Sequence, residues 1–359
     1  MTKKKVAVIG ATGIAGQQFL ASLINHPMFE VTTLAASLRS AGKIYKDAIT
    51  SDNGSLQWFC QGDPPSPFLK LKVENVLDIN PKELDLIFTA VESDAAKEIE
   101  PRLAQSTPVI STASAFRGDQ DVPIFIPGVN MEHEQLIPVQ KLKRQWKGFI
   151  SPVPNCTTTG LAMALKPIQT AFGIKKVIMT SMQACSGAGR SPGVIALDIM
   201  DNIIPYIPKE EEKVHFETKK ILGKFSDNVI QPADFLISTT CTRVPVLDAH
   251  TEVVYASLRT KGSIDQVKAV LRSFGSEFVQ MGFPSCPSKL IEVLEDPFRP
   301  QPRRDRDNGE GMTTTIGRVR EDEALENGIK FVLTSHNTKM GAARGAILIA
   351  EYLAYKGYI

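Results

Sequence analysis

The opening segment, KVAVIGATGIAGQQFLASLINHP from Lys5 to Pro27, constrains the fold more than any other stretch. Lys5 to Ile9 is a short apolar run with Val at alternate places, whereas Phe19, Leu20, Leu23 and Ile24 recur at helical spacing. The path is strand, glycine turn, helix. Gly10, Gly13 and Gly16 sit where a tight turn, a close backbone approach and a close helix-to-strand contact are needed. The helix then opens with N–H groups suited to a phosphate. Gly10, Thr12, Gly13, Ile14 and Gly16 are therefore candidate dinucleotide contacts. The spacing is G-x-x-G-x-x-G rather than G-x-G-x-x-G, with Ala11 where the first glycine of the standard pattern would stand. A glycine turn that binds nothing is the competing reading.

Phe29 to Ala36 (FEVTTLAA) reads as the next strand, ending where a cofactor without a 2′-phosphate usually meets Asp or Glu. SLRSAGK follows instead. Ser37, Arg39, Ser40 and Lys43 offer hydroxyls and positive charge suited to a dianionic 2′-phosphate, which favours NADP over NAD. A solvated basic loop is the plainer alternative. LDLIFTAV (84–91) and PVIST (108–112), bounded by helical stretches such as DAAKEIEPRLAQ (94–105), continue an alternation that implies a parallel, doubly wound sheet. GDPPSPF (62–68) reads as a turn-rich excursion.

After Pro154 the pattern changes to longer strands: IKKVIMTSMQA, STTCTRVPVL, TEVVYASLR, MTTTIGRVR and IKFVLTSH. These imply a mixed or antiparallel sheet with helices to one side, an α+β domain. One helix is expected at Ser263 to Val279 and another at Gly341 to Ala354, the latter packing back on the first domain. RPQPRRDRDNGEG (299–311) is mixed in charge and reads as a solvated loop. A chain of 359 residues exceeds what one hydrophobic core usually serves. The expected division is α/β: a Rossmann-like dinucleotide-binding domain at 1–155, joined by a C-terminal helix at 338–359, and an α+β catalytic and dimerisation domain at 156–337.

Lys and Arg number 41 against 39 Asp and Glu, and the resulting net charge of +2 gives no broad basic footprint for nucleic acid. No window reaches the roughly 18 uninterrupted apolar residues of a membrane span, and no signal-peptide core precedes the first strand, so no membrane partner and a cytoplasmic location are expected. The five histidines include no HxxH, HxH or HExxH pair, so no metal site is expected. The five cysteines lack CxxC spacing and fit a cytosolic thiol set.

Among these thiols Cys156 stands apart. SPVPNCTTTGLAMALKPI places it after a Pro-containing turn and immediately before a helical apolar pattern, where the helix N-terminus favours thiolate. Cys60 and Cys286 fall in loops and Cys241 in a strand, while Cys185 lies beside SGAG; a small buried apolar group is the ordinary fate of such a residue. A thiolate beside a nicotinamide can form a thiohemiacetal or thioester during hydride transfer, and then needs a proton carrier. His250, between TRVPVLDA and TEVVYASL, is expected in a strand-connecting turn from which an imidazole reaches a cleft. Arg243, seven residues earlier, is a candidate carboxylate binder.

GATGIAG, PNCTTTG, MQACSGAG, EEEK before HFETKKIL, and RVPVLDAH, in this order and at these separations, together resemble aspartate-semialdehyde dehydrogenase across nearly the whole chain. TTTG and the compact EEEK segment look like the fungal and archaeal branch. The resemblance implies reduction of β-aspartyl phosphate to aspartate β-semialdehyde with NADPH and release of phosphate, at the branch toward lysine, threonine, methionine and isoleucine. It makes Cys156 the nucleophile, His250 the acid/base group and Gln183 the residue orienting the acyl group. Arg243 would hold the substrate α-carboxylate and Glu210 its α-amino group, with Arg117, Asn155 and Lys213 on the phosphate. Ser186, Gly187, Ala188 and Gly189 match the loop at the nicotinamide end, and Asn337 a late asparagine near the cofactor. Arg190, Ser191 and Pro192 depart from the Tyr-Pro pair of many members. The resemblance further implies a homodimer or homotetramer. An acyl-CoA reductase acting on malonyl-CoA or succinyl-CoA, and a catalytically silent NADP-binding protein, are the rival readings.

Overall fold

A computed structural model describes residues 2–189 and 193–359. The chain forms two compact units, one of residues 1–124, 134–153 and 346–359, the other of residues 125–133 and 154–345. Arg190, Ser191 and Pro192 lie outside the described residues.

The first unit is built on six parallel strands: β1 (Lys4–Ile9), β2 (Phe29–Ala36), β3 (Val73–Asn75), β4 (Leu86–Thr89), β5 (Val109–Ser111) and β6 (Ile150–Pro152). Their order is β3-β2-β1-β4-β5-β6. The chain runs outward from β1 to β3 and returns to the other side of β1 at β4, so the C-terminal ends of β1 and β4 border the point where strand order reverses. Val6, Ala7, Val8 and Ile9 are all essentially inaccessible, as a central strand covered on both faces requires. Each buried Val or Ile side chain contributes about 1.5–3 kcal/mol. Helix α1 (Ile14–Leu23) turns Gly16, Phe19, Leu20 and Leu23 inward, and Phe19 stacks on Phe88 of β4 at 4.7 Å. Short helices α2 (Tyr45–Ala48) and α3 (Ser66–Leu69) punctuate the connection to β3, the second within the GDPPSPF excursion. Helices α4 (Ser93–Ala104) and α5 (Leu136–Arg144) complete the crossovers.

The second unit opens with α6 (Cys156–Phe172) and β7 (Ile174–Gln183). After a short helix α7 (Ala196–Ile199) come α8 (Glu210–Ile221), the hairpin of β8 (Lys224–Ser226) and β9 (Val229–Gln231), and then β10 (Leu236–Arg243) and β11 (His250–Leu258). The sheet order is β10-β7-β11-β14-β13-β12, with β12 at Ile291–Leu294, β13 at Thr314–Asp322 and β14 at Gly328–Ser335. It is mixed: β10 and β7 run parallel, whereas β11 is antiparallel to both β7 and β14. The C-terminal ends of β7 and β10 therefore meet the N-terminal end of β11 at one edge of the sheet. Arg243 pairs with Gln183 there, and His250 lies one residue from the Thr251–Met182 pair.

Three local expectations change. The single helix at 263–279 is two, α9 (Ile264–Ser273) and α10 (Ser276–Gln280), because Gly275 adopts φ +74°. The charged 299–311 stretch is partly built rather than merely solvated: α11 (Pro302–Asp305) buries Asp305, which accepts from Arg299 and from the Gln301 N–H. His250 is the first residue of β11 rather than part of a turn, and its side chain is fully buried. The last helix, α12 (Ala343–Tyr355), belongs to the first unit from Ala346 onward, where Glu351 pairs with His26 at 2.8 Å.

Candidate active site

Cys156 is the first residue of α6, and the sequence explains why the helix starts there. Pro154 cannot donate a helical N–H, and Asn155 is a strong N-cap. The Asn155 Oδ1 accepts from the N–H groups of Thr157 (2.9 Å) and Thr158 (3.2 Å). Two carboxylates of α8 fix that cap from behind: Glu210 Oε1 accepts from Asn155 Nδ2 at 2.8 Å, and Glu217 Oε2 accepts from the Asn155 N–H at 2.5 Å. Both acids are buried. Glu217 falls seven residues after Glu210, two turns along one helix face, which is the sequence signal that could have found it. The neighbouring acids do other things: Glu211 accepts from the Cys241 N–H at 3.0 Å, and Glu212 is exposed. Lys213 lies 3.9 Å from Glu210.

The imidazole of His250 reaches the thiol, with Nε2 3.0 Å from Cys156 Sγ. Its other nitrogen, Nδ1, accepts from the Ala184 N–H at 3.0 Å. A nitrogen that accepts carries no proton, so the neutral ring holds its hydrogen on Nε2 and presents it to sulfur. Burial, then the positive charge of Arg243 and then His336, push the His250 pKa down to about 3. His250 is thus neutral and presents Nε2–H as a hydrogen-bond donor. Nearby, Arg243 Nη1 donates to the Ala184 carbonyl at 2.8 Å, and Gln183 Nε2 donates to Ser181 Oγ at 3.1 Å. Both side chains are buried.

The 185–189 turn closes over this group. A Cβ added at Gly187 would lie 2.9 Å from Arg243 Nη1 and 3.0 Å from His250 Cε1, so a larger residue there would push on both side chains. Asn337 ties the turn down: its Nδ2 donates to Ser186 Oγ at 2.8 Å and its Oδ1 accepts from the Ala249 N–H at 2.8 Å. Glu252, two residues along β11 from His250, is a buried acid that sequence reading missed. Neither carboxyl oxygen has a hydrogen-bond partner among the described residues, and burial raises its pKa well above the usual carboxylate range. Nothing in a strand pattern distinguishes such a residue from a solvent-facing acid.

In the first unit the glycine turn leaves β1 at the strand-order reversal. Gly10 has φ +79°, and a Cβ there would lie 2.1 Å from the Ala90 carbonyl oxygen; at Gly16 a Cβ would lie 2.1 Å from the Gly10 carbonyl oxygen. Gly13 is the N-cap of α1 and supplies no side chain to the first-turn N–H groups. Thr12 and Ile14 are half-buried beside it. This cradle, one that side chains would fill, fits a dinucleotide pyrophosphate. Ser37, Arg39 and Lys43 are exposed in the turn that follows β2, and Ser40 is buried there, its N–H donating to the Ser37 carbonyl at 2.9 Å. Arg117 follows β5, buried, and donates from Nη2 to the Thr112 carbonyl at 3.0 Å.

Two family models match this chain: the semialdehyde dehydrogenase NAD-binding domain over residues 5–137, and the semialdehyde dehydrogenase dimerisation domain over residues 165–340. An aspartate-semialdehyde dehydrogenase of Methanothermobacter thermautotrophicus is 43% identical over 348 residues, covering 97% of this chain and 98% of the relative. One from Saccharomyces cerevisiae is 42% identical over 377 residues and covers both chains fully. The crystal structure of aspartate semialdehyde dehydrogenase with NADP from Candida albicans superposes with a TM-score of 0.87 at 39% identity, covering 99% of this chain and 100% of that one. Among the described residues no helix is long and apolar enough to cross a membrane.

Proposed function

This chain belongs to the aspartate-semialdehyde dehydrogenase family, and from that premise we infer that it reduces β-aspartyl phosphate to aspartate β-semialdehyde through a thioester on Cys156. It is an NADP-dependent oxidoreductase. The observation that carries the residue assignment is the 3.0 Å contact of Cys156 Sγ with a His250 Nε2–H, at the capped N-terminus of α6.

The helix N-terminus stabilises the thiolate, which attacks the β-carbonyl carbon. As the C–S bond forms, the bond from that carbon to the phosphate oxygen breaks, and phosphate leaves with the electron pair. Arg117, Lys213 and the second Nδ2 hydrogen of Asn155 hold the departing phosphate, which takes a proton from water to leave as the hydrogen-phosphate dianion. Arg243 grips the α-carboxylate, Glu210 faces the α-amino group, and Gln183 orients the acyl oxygen. NADPH, when bound, supplies the hydride that reduces the acyl carbon. His250 donates a hydrogen bond from Nε2–H to the oxygen that gains negative charge and so stabilises it. Collapse of the hemithioacetal alkoxide breaks the C–S bond, which frees the aldehyde and restores the thiolate.

The first unit binds NADP through Gly10, Thr12, Gly13, Ile14 and Gly16 on the pyrophosphate and Ser37, Arg39, Ser40 and Lys43 on the 2′-phosphate. Ser186 to Gly189 and Asn337 are the proposed contacts of the nicotinamide end. A second copy of this chain covers the exposed apolar run of Ile195, Leu197, Met200, Ile203 and Tyr206, an arrangement supported by the dimerisation-domain match. The enzyme acts in the cytoplasm. The test is aspartate-semialdehyde-dependent reduction of NADP in the presence of phosphate, by the wild type and by Cys156→Ala. Turnover in the first, and its loss in the second with NADPH affinity unchanged, is expected; a fully active Cys156→Ala refutes the nucleophile assignment.

A further inference from the structure

The α4 helix turns Ala96, Glu100 and Leu103 into the first unit, so a carboxyl group stands in an otherwise apolar stripe. Glu100 is fully buried. Its Oε1 accepts from Thr89 Oγ1 (2.6 Å), the last residue of β4, and from Ser111 Oγ (2.5 Å), the last residue of β5. The hydroxyl of Ser111 in turn accepts from the Ala113 N–H at 3.0 Å, and the Thr112 N–H donates to the Thr89 carbonyl at 2.9 Å. Thr112 offers its own carbonyl to Arg117 Nη2. The loop that carries Arg117 is therefore tied in part to one oxygen of Glu100, alongside the Thr112–Thr89 backbone bond and the Ser93–Ser114 hydroxyl pair. The other, Oε2, is buried with no hydrogen-bond partner among the described residues.

We propose that Glu100 is a positioning residue for Arg117, which both fixes the 112–117 loop and sets how much of the guanidinium charge is available to a dianionic phosphoryl group. The proposal rests on the reading of Arg117 as a phosphate ligand. A glutamine or a hydroxyl would anchor the loop equally well; what a carboxyl adds is a charge that can appear or vanish. Burial raises the Glu100 pKa to about 7, against the opposing pull of Ser111, Thr89 and then Arg117. The strands β4, β5 and β6 (LIFT, VIS and ISP) that pack on α4 contribute no charged side chain, and the guanidinium of Arg117 acts on Glu100 electrostatically. With Glu100 neutral, Arg117 meets an anion with its full charge. With Glu100 ionised, part of that charge is cancelled. Linkage makes the effect reciprocal: a bound dianion holds the proton on Glu100 more tightly.

Sulfate is the suitable probe, because it stays a dianion where phosphate itself titrates. Its inhibition constant against phosphate, in the aldehyde-oxidising direction, is measured from pH 6 to 8.5 for wild type, Glu100→Gln and Arg117→Met. Gln retains an Oε1 acceptor for both hydroxyls. Sulfate should weaken on the order of tenfold with rising pH in wild type and hold constant in Glu100→Gln, while Arg117→Met binds it poorly throughout. Superimposable profiles for wild type and Glu100→Gln overturn the proposal even if Arg117→Met weakens sulfate. Unaltered sulfate inhibition in Arg117→Met refutes instead the reading of Arg117 itself. A calorimetric readout is independent of turnover: sulfate binding at pH 7 should take up protons in wild type, and absence of uptake, or uptake that persists in Glu100→Gln, also overturns it.

Discussion

Replacing His250 with Gln tests whether the imidazole is held neutral, on which its proposed role as an Nε2–H hydrogen-bond donor depends. Gln can present its carbonyl to the Ala184 N–H and its amide hydrogen to sulfur, so the contacts of both ring nitrogens are approximated without a titrating group. In the unfolded chain the histidine charges near 6.5, whereas in the folded protein burial holds its pKa near 3. The folded form thus binds fewer protons between those values, and the histidine favours folding above pH 6.5 and loses that contribution as pH falls toward 3. Because the side chain is fully buried, no solvent screening reduces the effect. From pH 8 to pH 5 the wild type should lose about 2 kcal/mol that His250→Gln does not lose. Urea unfolding of both proteins at the two pH values gives this as a difference of differences, in which every other titrating group cancels. A stability gap between the two proteins that is the same at pH 8 and pH 5 would refute the neutral imidazole and the Nε2–H assignment with it.

Gly10→Ala must fit a Cβ 2.1 Å from the Ala90 oxygen at a positive φ, which should cost roughly 3 kcal/mol or more and weaken NADP binding; a melting temperature and an NADP affinity both equal to wild type contradict the cradle. Asn155→Ala removes two cap bonds at the entrance of α6 and should lower stability by about 1–2 kcal/mol in urea titrations. Gly187→Ala brings a methyl group against Arg243 and His250, its nearest neighbours, so kcat/KM should fall by at least about tenfold with the melting temperature nearly unchanged. A variant with full activity would show that the 185–189 turn is not held against the catalytic group.

The parts of this molecule that the sequence makes legible are those governed by near neighbours. KVAVIGATGIAG specifies strand and turn within a dozen residues, and Pro154 with Asn155 marks the start of α6 by residue type alone. The break at Gly275 hides because SFGSEF keeps helical apolar spacing on both sides of a residue that alone adopts positive φ. His250 reads as a turn residue because Pro245, Asp248 and Ala249 precede it. Its ring is packed against by the Gly187 turn, more than sixty positions away, which no local pattern reveals. The acids divide in the same way. Glu217 could be found from its two-turn spacing to Glu210, and Glu100 from its place on the apolar stripe of α4. Glu252, by contrast, sits on a strand whose two faces are both covered, so alternation carries no warning.

The proposed reaction requires a covalent bond between the Cys156 sulfur and the substrate acyl group. Mixing the protein with β-aspartyl phosphate in the absence of NADPH, quenching within a turnover and mapping the digested protein by mass spectrometry tests this most directly. An aspartyl thioester on the peptide that contains Cys156, formed together with one equivalent of phosphate, is the predicted result. Stoichiometric phosphate release with that peptide unmodified would contradict it.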